Sequence, residues 1–250
     1  MTARTGSGGG TGLEAALWRA VAVYRVASLG YAAVLIVRDF GGYARPLGGW
    51  IVLGVMAAWT ALSVPAYRDR RRRGGPLLAA DLAVAAGCVL ATAWVQTRGE
   101  ISAGHPTLPV SWVAAAVLSW AVAGGRRAGL AAAAVIAATN LALHAIAGTG
   151  GVTGTTFNGI VLLFLAGLVV GHVVRLALEA EARLARAVEL ESATRERERL
   201  ARRIHDSVLQ VLAMVQRRGG ELGGEAAELG RLAGQQEAAL RALIGTAPPV

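Results

Sequence analysis

Apolar and polar positions change their pattern near Arg175. Before it come six long apolar runs, at residues 20–37, 50–67, 77–97, 110–124, 130–147 and 157–174, joined by short Gly-, Pro- and Arg-bearing connections. Each is near the ~20 residues a helix needs to cross the hydrocarbon layer, the fourth being the shortest. After Arg175 the apolar positions alternate by threes and fours among charged residues, with no Gly or Pro before Gly219, which predicts one helix leaving the last apolar run. Ala177, Ala180, Leu184 and Ala187 form an early seam, and Ala201, Ile204, Val208, Val211 and Val215 a later one. Glu191 and Thr194 put the two out of phase, a break that would change local supercoiling. It reads equally as a converter of piston or rotary motion and as a loosely packed linker. Gly219-Gly220 and Gly223-Gly224 predict a helix break, after which Leu222, Ala226, Leu229, Ala233, Gln236, Leu240 and Leu243 resume the alternation. That second helix can pack antiparallel on the first, and two such hairpins make a four-helix dimer. Gly230 and Gly234 weaken it by about 1 kcal/mol each relative to Ala, so it should depend on dimerisation.

The predicted fold class is therefore all-α: a bundle of six transmembrane helices, a long cytoplasmic helix and an antiparallel helical hairpin that dimerises. The expected organisation is a disordered N-terminus (1–12), a six-span membrane domain (13–174), a linking helix (175–195), a dimerising helical hairpin (196–246) and the start of a linker (247–250). The first eleven residues, rich in Gly, Ser and Thr, lack the apolar core of a signal peptide.

Composition agrees, with 54% hydrophobic residues. The net charge of +9 could point to nucleic acid, but its distribution argues otherwise. Residues 1–174 hold 13 Arg and 5 acidic residues, a net +8, whereas residues 175–250 hold 12 Arg and 11 acidic residues, a net +1. The excess thus sits among the apolar runs, where it reports topology and attraction to lipid headgroups. Arg68, Arg70, Arg71, Arg72 and Arg73 follow the second run, and Arg126 and Arg127 the fourth. The opposite loops hold Arg38, Arg45 and Arg98, with Asp39 and Glu100 beside two of them. The positive-inside bias then places both termini in the cytoplasm. Trp50, Trp94 and Trp112 fall at the expected outer boundary, as an aromatic belt would place them. All 25 basic residues are Arg, a bias expected of a GC-rich genome. The single Cys88 excludes an intramolecular disulfide and reads as packing.

A few polar residues interrupt the apolar runs. Asp81 is costly in lipid and calls for a partner, either Arg19 or Arg25. Such a pair is a protonatable switch or, more commonly, a structural ion pair. Asn140 and His144 lie one turn apart and could form a polar ligand site, although contacts between spans are the commoner role. With Arg25 and Asp81 they are the candidate sensing residues. His172 reads as interfacial and His105-Pro106 as a turn, and no metal-ligating constellation is present.

The strongest motif is Arg203-Ile204-His205-Asp206-Ser207-Val208-Leu209-Gln210, preceded by a run of Glu and Arg. Asp206 and Gln210 share one helical face, so a carboxylate and a carboxamide can address the imidazole region. The octapeptide resembles the phosphoacceptor box of two-component sensor histidine kinases of the NarX/DesK class. The membrane half has a looser likeness to the multi-span sensor of MacS-type kinases. The resemblance covers residues 176–246 and implies that His205 is the phosphorylated residue, Asp206 orients the ring and acts as base, and Gln210 positions water for dephosphorylating the partner. It further implies ATP and Mg²⁺, a homodimer, a cytoplasmic response regulator and no direct nucleic-acid contact. Family members continue into a nucleotide-binding domain whose motifs are not found in these 250 residues, so a catalytic domain is expected from elsewhere. The alternatives are a small-solute transporter using Asp81, Asn140 and His144, and a non-catalytic membrane scaffold with a coiled-coil tail.

Overall fold

The computed structural model describes residues 9–39, 41, 43–149, 151–222 and 224–245. Among these the chain is helical, with no strand: α1 (Gly9–Arg38), α2 (Pro46–Arg68), α3 (Gly75–Val95), the short α4 (Arg98–Ser102), a 3₁₀ turn (Val110–Val113), α5 (Ala114–Ala147), α6 (Gly154–Leu222) and α7 (Gly224–Gly245). Five of these helices are long and apolar enough to cross a membrane. The chain divides into two compact units, Met1–Arg183 and Leu184–Val250.

Local sequence explains most boundaries. Pro46 opens α2 and Pro76 lies in the first turn of α3, where a missing N–H costs nothing. Thr97 and Glu100 close a capping box on α4, Thr97 Oγ1 accepting from the Glu100 amide at 3.2 Å and Glu100 Oε2 from the Thr97 amide at 2.7 Å. Gly148, at φ 64°, ends α5 in a left-handed cap. α1 already begins at Gly9, so its first turn lies inside the segment expected to be disordered; residues 1–8 fall outside the described residues.

α5 carries a sharp reversal. Gly125 adopts φ 69° and ψ −160°, a conformation closed to other residues, and the halves at 114–124 and 126–147 fold against each other. Unbroken, residues 114 and 140 would stand about 39 Å apart; instead Ala114 and Asn140 line one cavity. A Cβ added to Gly129 would lie 2.9 Å from the Ala121 methyl. The reversal falls in the stretch predicted to link the fourth and fifth apolar runs.

Within the first unit, α3 packs most extensively on α5, and α1 on α2. The main core gathers Ile36, Met56, Val89, Trp112, Val117, Ile136 and Leu143. A second cluster joins Trp18, Val21, Tyr67, Leu78, Val122 and Val174, with Trp18 stacked on Tyr67 at 4.8 Å. α6 meets α5 through glycine. A Cβ on Gly167 would come within 2.8 Å of the Gly129 carbonyl oxygen, and one on Gly171 would collide with the backbone of Arg126. Gly125-x-x-x-Gly129 and Gly167-x-x-x-Gly171 thus face each other, the small-residue spacing that lets membrane helices approach closely. Large apolar side chains such as Val23, Val34, Leu62 and Leu162 are exposed along the sides of these helices, a surface suited to lipid.

Two expectations are corrected. Trp112 is not a belt residue: it is 1% exposed, and its indole N–H donates to Thr60 Oγ1 at 3.1 Å. Residues 101–112 turn inward instead, burying Ile101, Leu108 and Trp112 in the core; the Leu108 amide donates to Thr92 Oγ1, and Gln96 Nε2 to the Pro106 carbonyl. Trp50 and Trp94 remain half-exposed, as a belt requires. In the second unit, Gly219 and Gly220 do not break the helix, which runs to Leu222; the left-handed residue is Gly224, at φ 58°. Gly219 is instead a packing residue, since a Cβ there would meet the Ala226 carbonyl and the Gly230 Cα. Gly230, read above only as a weakness in the second helix, forms the other side of that contact.

Candidate functional site

The residues singled out by sequence fall in separate places. The octapeptide at 203–210 lies within α6, well inside its helical run. Gln210 is exposed, while the side chains of His205 and Asp206 lie outside the described residues. Of the later seam, Val208, Val211 and Val215 are 41%, 56% and 41% exposed, and the side chains of Ala201 and Ile204 lie outside the described residues.

Arg25 and Asp81 come together. Asp81 is 0% exposed and its carboxylate receives four hydrogen bonds: from Arg25 Nη1 at 2.6 Å and Nη2 at 2.5 Å, from the Trp59 indole at 2.7 Å and from the Tyr67 hydroxyl at 3.0 Å. Arg25 also donates to Ser63 Oγ at 3.2 Å and lies 5.5 Å from the Trp112 ring centre and 5.9 Å from that of Tyr67. The bidentate fork pairs the two charges and the aromatic rings spread the cation further, while Arg25 Nε is buried without a hydrogen-bond partner among the described residues. Arg19, the other candidate partner, donates to the Ala15 carbonyl instead. With its acceptors filled by fixed donors, Asp81 is built as a tie among α1, α2 and α3. The residues that complete it, Trp59, Ser63 and Tyr67, lie four apart on α2, a spacing that marks one face but does not reveal what the face meets.

Asn140 and His144 serve different contacts. Asn140 donates from Nδ2 to the Ile136 carbonyl one turn back, at 3.0 Å. His144 is nearly buried, with Nδ1 2.9 Å from Thr149 Oγ1 and Nε2 3.0 Å from Thr156 Oγ1, so it fastens the end of α5 to the start of α6. A neutral imidazole fits, donating to one hydroxyl and accepting from the other. Asn140 and Thr156 both line a cavity of about 480 Å³ between α1, α5, α6 and the turn at 105–107. Tyr24 reaches it from α1, its hydroxyl donating to the Ser111 carbonyl at 3.1 Å. Of this cavity the sequence pointed only to Asn140, because the walls come together only once Gly125 reverses the chain.

A family model matches residues 8–185 of the chain, that of a family of unknown function, DUF5931. The chain belongs to this family. Neither a curated protein nor a solved structure matches it. The DUF5931 match takes in α1 to α5 and the apolar part of α6, and so contains the Arg25–Asp81 tie and the cavity. It ends before the octapeptide. In this DUF5931 chain Arg25–Asp81 is the most buried ion pair among the described residues, Arg70 and Arg73 pair with Glu14 nearer the surface, and the cavity is lined by His105 but by no Arg, Asp or Glu. Among the described residues no group of three or more His, Cys, Asp or Glu side chains could hold a metal ion.

Proposed function

We propose that the chain is the sensor and phosphoacceptor portion of a bacterial sensor histidine kinase, acting as a homodimer in the plasma membrane with both termini in the cytoplasm. The reading is carried by the octapeptide Arg203–Gln210 on a helix continuous with the last apolar run and followed by a second helix. The exposed seam of Val208, Val211 and Val215 is the face a second copy would cover. Six spans are supported by the reversal at Gly125, which makes α5 two antiparallel helices. Orientation is supported by the joint packing of Trp18, Tyr67, Leu78, Val122 and Val174, since Arg68–Arg73 and Arg126-Arg127 flank residues of that one cluster.

In this mechanism a ring nitrogen of His205 attacks the γ-phosphorus of ATP. The N–P bond forms, the bond to the bridging oxygen breaks and ADP leaves with its electron pair. Asp206 takes the remaining ring proton as the ring gains positive charge. The phosphoryl group then passes to an aspartate of a response regulator, and the ring recovers its proton. The resemblance implies ATP and Mg²⁺, and the proposal places both on a nucleotide-binding domain supplied from elsewhere. A permeation role is disfavoured because the partners of Asp81 (Arg25, Trp59 and Tyr67) and those of His144 (Thr149 and Thr156) have no residue in common.

The test mixes the full chain in nanodiscs with a separately expressed ATP-binding domain of a kinase of this class and labelled ATP. Acid-labile label should enter the wild type, be absent from His205→Ala and be slowed in Asp206→Asn. Gln210→Ala should keep labelling but lose dephosphorylation of the regulator. Equal labelling of His205→Ala would refute the proposal.

A further inference from the structure

We propose that the cavity between α1, α5 and α6 binds a small uncharged amphiphile whose head donates hydrogen bonds and whose body is apolar. The inference deepens the sensor reading and rests on it for its biological role, but not for the binding itself. At about 480 Å³ the cavity is within the range of small-molecule sites. Its lining is graded. Thr155 and Thr156 stand where α6 begins, and Ile160, Leu163 and Ala166 follow below, about 16 Å along the helix from first to last. A molecule polar at one end fits that order, head toward the connection at 148–156 and body toward the middle of the bundle.

The free polar groups define the head. Asn140 is 9% exposed; one N–H of its amide goes to the Ile136 carbonyl, the second N–H has no described acceptor, and its Oδ1 accepts from no described residue. The Tyr24 hydroxyl gives its proton to the Ser111 carbonyl, which leaves its oxygen lone pairs as acceptors. Both groups present acceptors to the cavity, and the lining hydroxyls of Thr107, Ser111 and Thr155 can donate or accept, so a head with O–H or N–H donors is complementary to all of them. A carboxylate or phosphate would face those acceptors with no Arg in the lining, and the one imidazole there, His105, is exposed, where water screens any charge on it. An ammonium would be desolvated without a carboxylate to offset the cost. A neutral hydroxyl or amide is what remains. Its source is either a neutral lipid of the bilayer or a solute arriving from water.

The experiment uses 1-decanol as the probe, with decanoate and decyltrimethylammonium as charged congeners, and the delipidated full chain in phosphatidylcholine nanodiscs. Saturable decanol binding is expected in the wild type and not with either charged congener. Asn140→Leu should weaken it by up to about tenfold through loss of the acceptor. Gly159→Phe should abolish it: Gly159 lines the cavity, and a Cβ there meets nothing within 4 Å, so the larger side chain fills space without disturbing the helix. Circular dichroism melts of both variants check that they are folded. Unsaturable partitioning that is equal in wild type and Gly159→Phe, or binding of a charged congener as tight as that of decanol, overturns the proposal. Native mass spectrometry before delipidation separates the sources: a neutral-lipid adduct lost in Gly159→Phe assigns the ligand to the bilayer, and decanol binding to a wild type that carries no adduct assigns it to water. Binding is read without ATP. Loss of His205 labelling with binding intact therefore strikes the kinase reading alone, and labelling without binding strikes the cavity alone.

Discussion

Removing Asp81 should destabilise the first unit more than removing Arg25, although the two form one ion pair. Arg25 is 1% exposed and Asp81 0%. Asp81→Ala strands a guanidinium that remains charged, and it also orphans the Trp59 indole N–H and the Tyr67 hydroxyl, whose bonds to the carboxylate are 2.7 and 3.0 Å long. Breaking a buried pair costs about 3–5 kcal/mol, and each orphaned neutral donor adds about 1 kcal/mol, so the loss should reach about 5 kcal/mol or more. Arg25→Ala leaves a carboxyl that still receives the Trp59 and Tyr67 donors and can be carried as a neutral acid, so its cost should stay near the lower end, about 3 kcal/mol. Arg25→Met with Asp81→Leu removes both charges at once and should be more stable than Asp81→Ala alone. The assay is equilibrium unfolding in mixed micelles followed by indole fluorescence. All six tryptophans lie between residues 18 and 120, so the signal reports the first unit only. The reasoning fails if Arg25→Ala costs more than Asp81→Ala, or if the double variant loses the sum of the single losses.

Other outcomes follow from particular contacts. Gly220→Ala should stabilise the second unit by about 1 kcal/mol, because Gly220 is helical with open space at its Cβ. Gly219→Ala, one residue earlier, should destabilise it by pressing on the Ala226 carbonyl and Gly230; thermal melts of residues 184–250 in the full chain, followed by the unfolding of α6 and α7, would show the opposite signs. Gly167→Val forces a side chain against the Gly129 backbone and should cost about 1–3 kcal/mol or more, read as a lower unfolding midpoint in the same micelles. Tyr43, in the connection between α1 and α2, has its phenol pushed up to about 12 by burial and by the Asp39 and Glu100 carboxylates. Its folded value lies above the ordinary value near 10, so its contribution to stability is complete below about pH 10 and is lost as pH rises through 12. A phenolate absorbance titration should lose its component near 12 in Tyr43→Phe.

Much of the first unit was legible because lipid imposes a simple rule on it. Apolar length marks α1, α2, α3 and α6, and a lone acid in an apolar run demands a cation; Arg25 was one of two candidates, and only geometry chose it over Arg19. What escaped the pattern shares a cause. Trp112 looks interfacial by position, yet its N–H finds Thr60 because residues 101–112 turn inward, and nothing in their local pattern announces that path. Thr97-x-x-Glu100 was a readable capping signature inside a stretch taken as plain loop. Gly219-Gly220 shows the limit of glycine as punctuation: paired glycines signal a break by their entropy, but a close helix crossing needs the same residue, and here the crossing decides. Of the cavity, sequence marks only Asn140, as half of a possible ligand site with His144; the other walls are residues distant in sequence that meet through the turn at Gly125.

The way each helix is held differs in kind, and this bears on how a signal could leave the first unit. α1, α2 and α3 are tied by the Arg25–Asp81 fork, whose two bonds of 2.6 and 2.5 Å have narrow angular tolerance; a shift of about 1 Å would forfeit much of their strength. The apolar part of α6 is held otherwise, by glycine faces at Gly129 with Gly167 and at Arg126 with Gly171, and by the His144–Thr156 bond at its start. Only 17% of its most apolar window is buried, against 28–39% for the other four. These contacts fix the register of α6, because a slide along α5 would bring a Cβ against the facing backbone. Among the five apolar helices α6 therefore combines the smallest buried share with a closely specified contact. It is also the helix that runs on to residues 203–210 and that supplies the graded wall of the cavity. A ligand seated against that wall would add contacts to the apolar helix that has the smallest buried share.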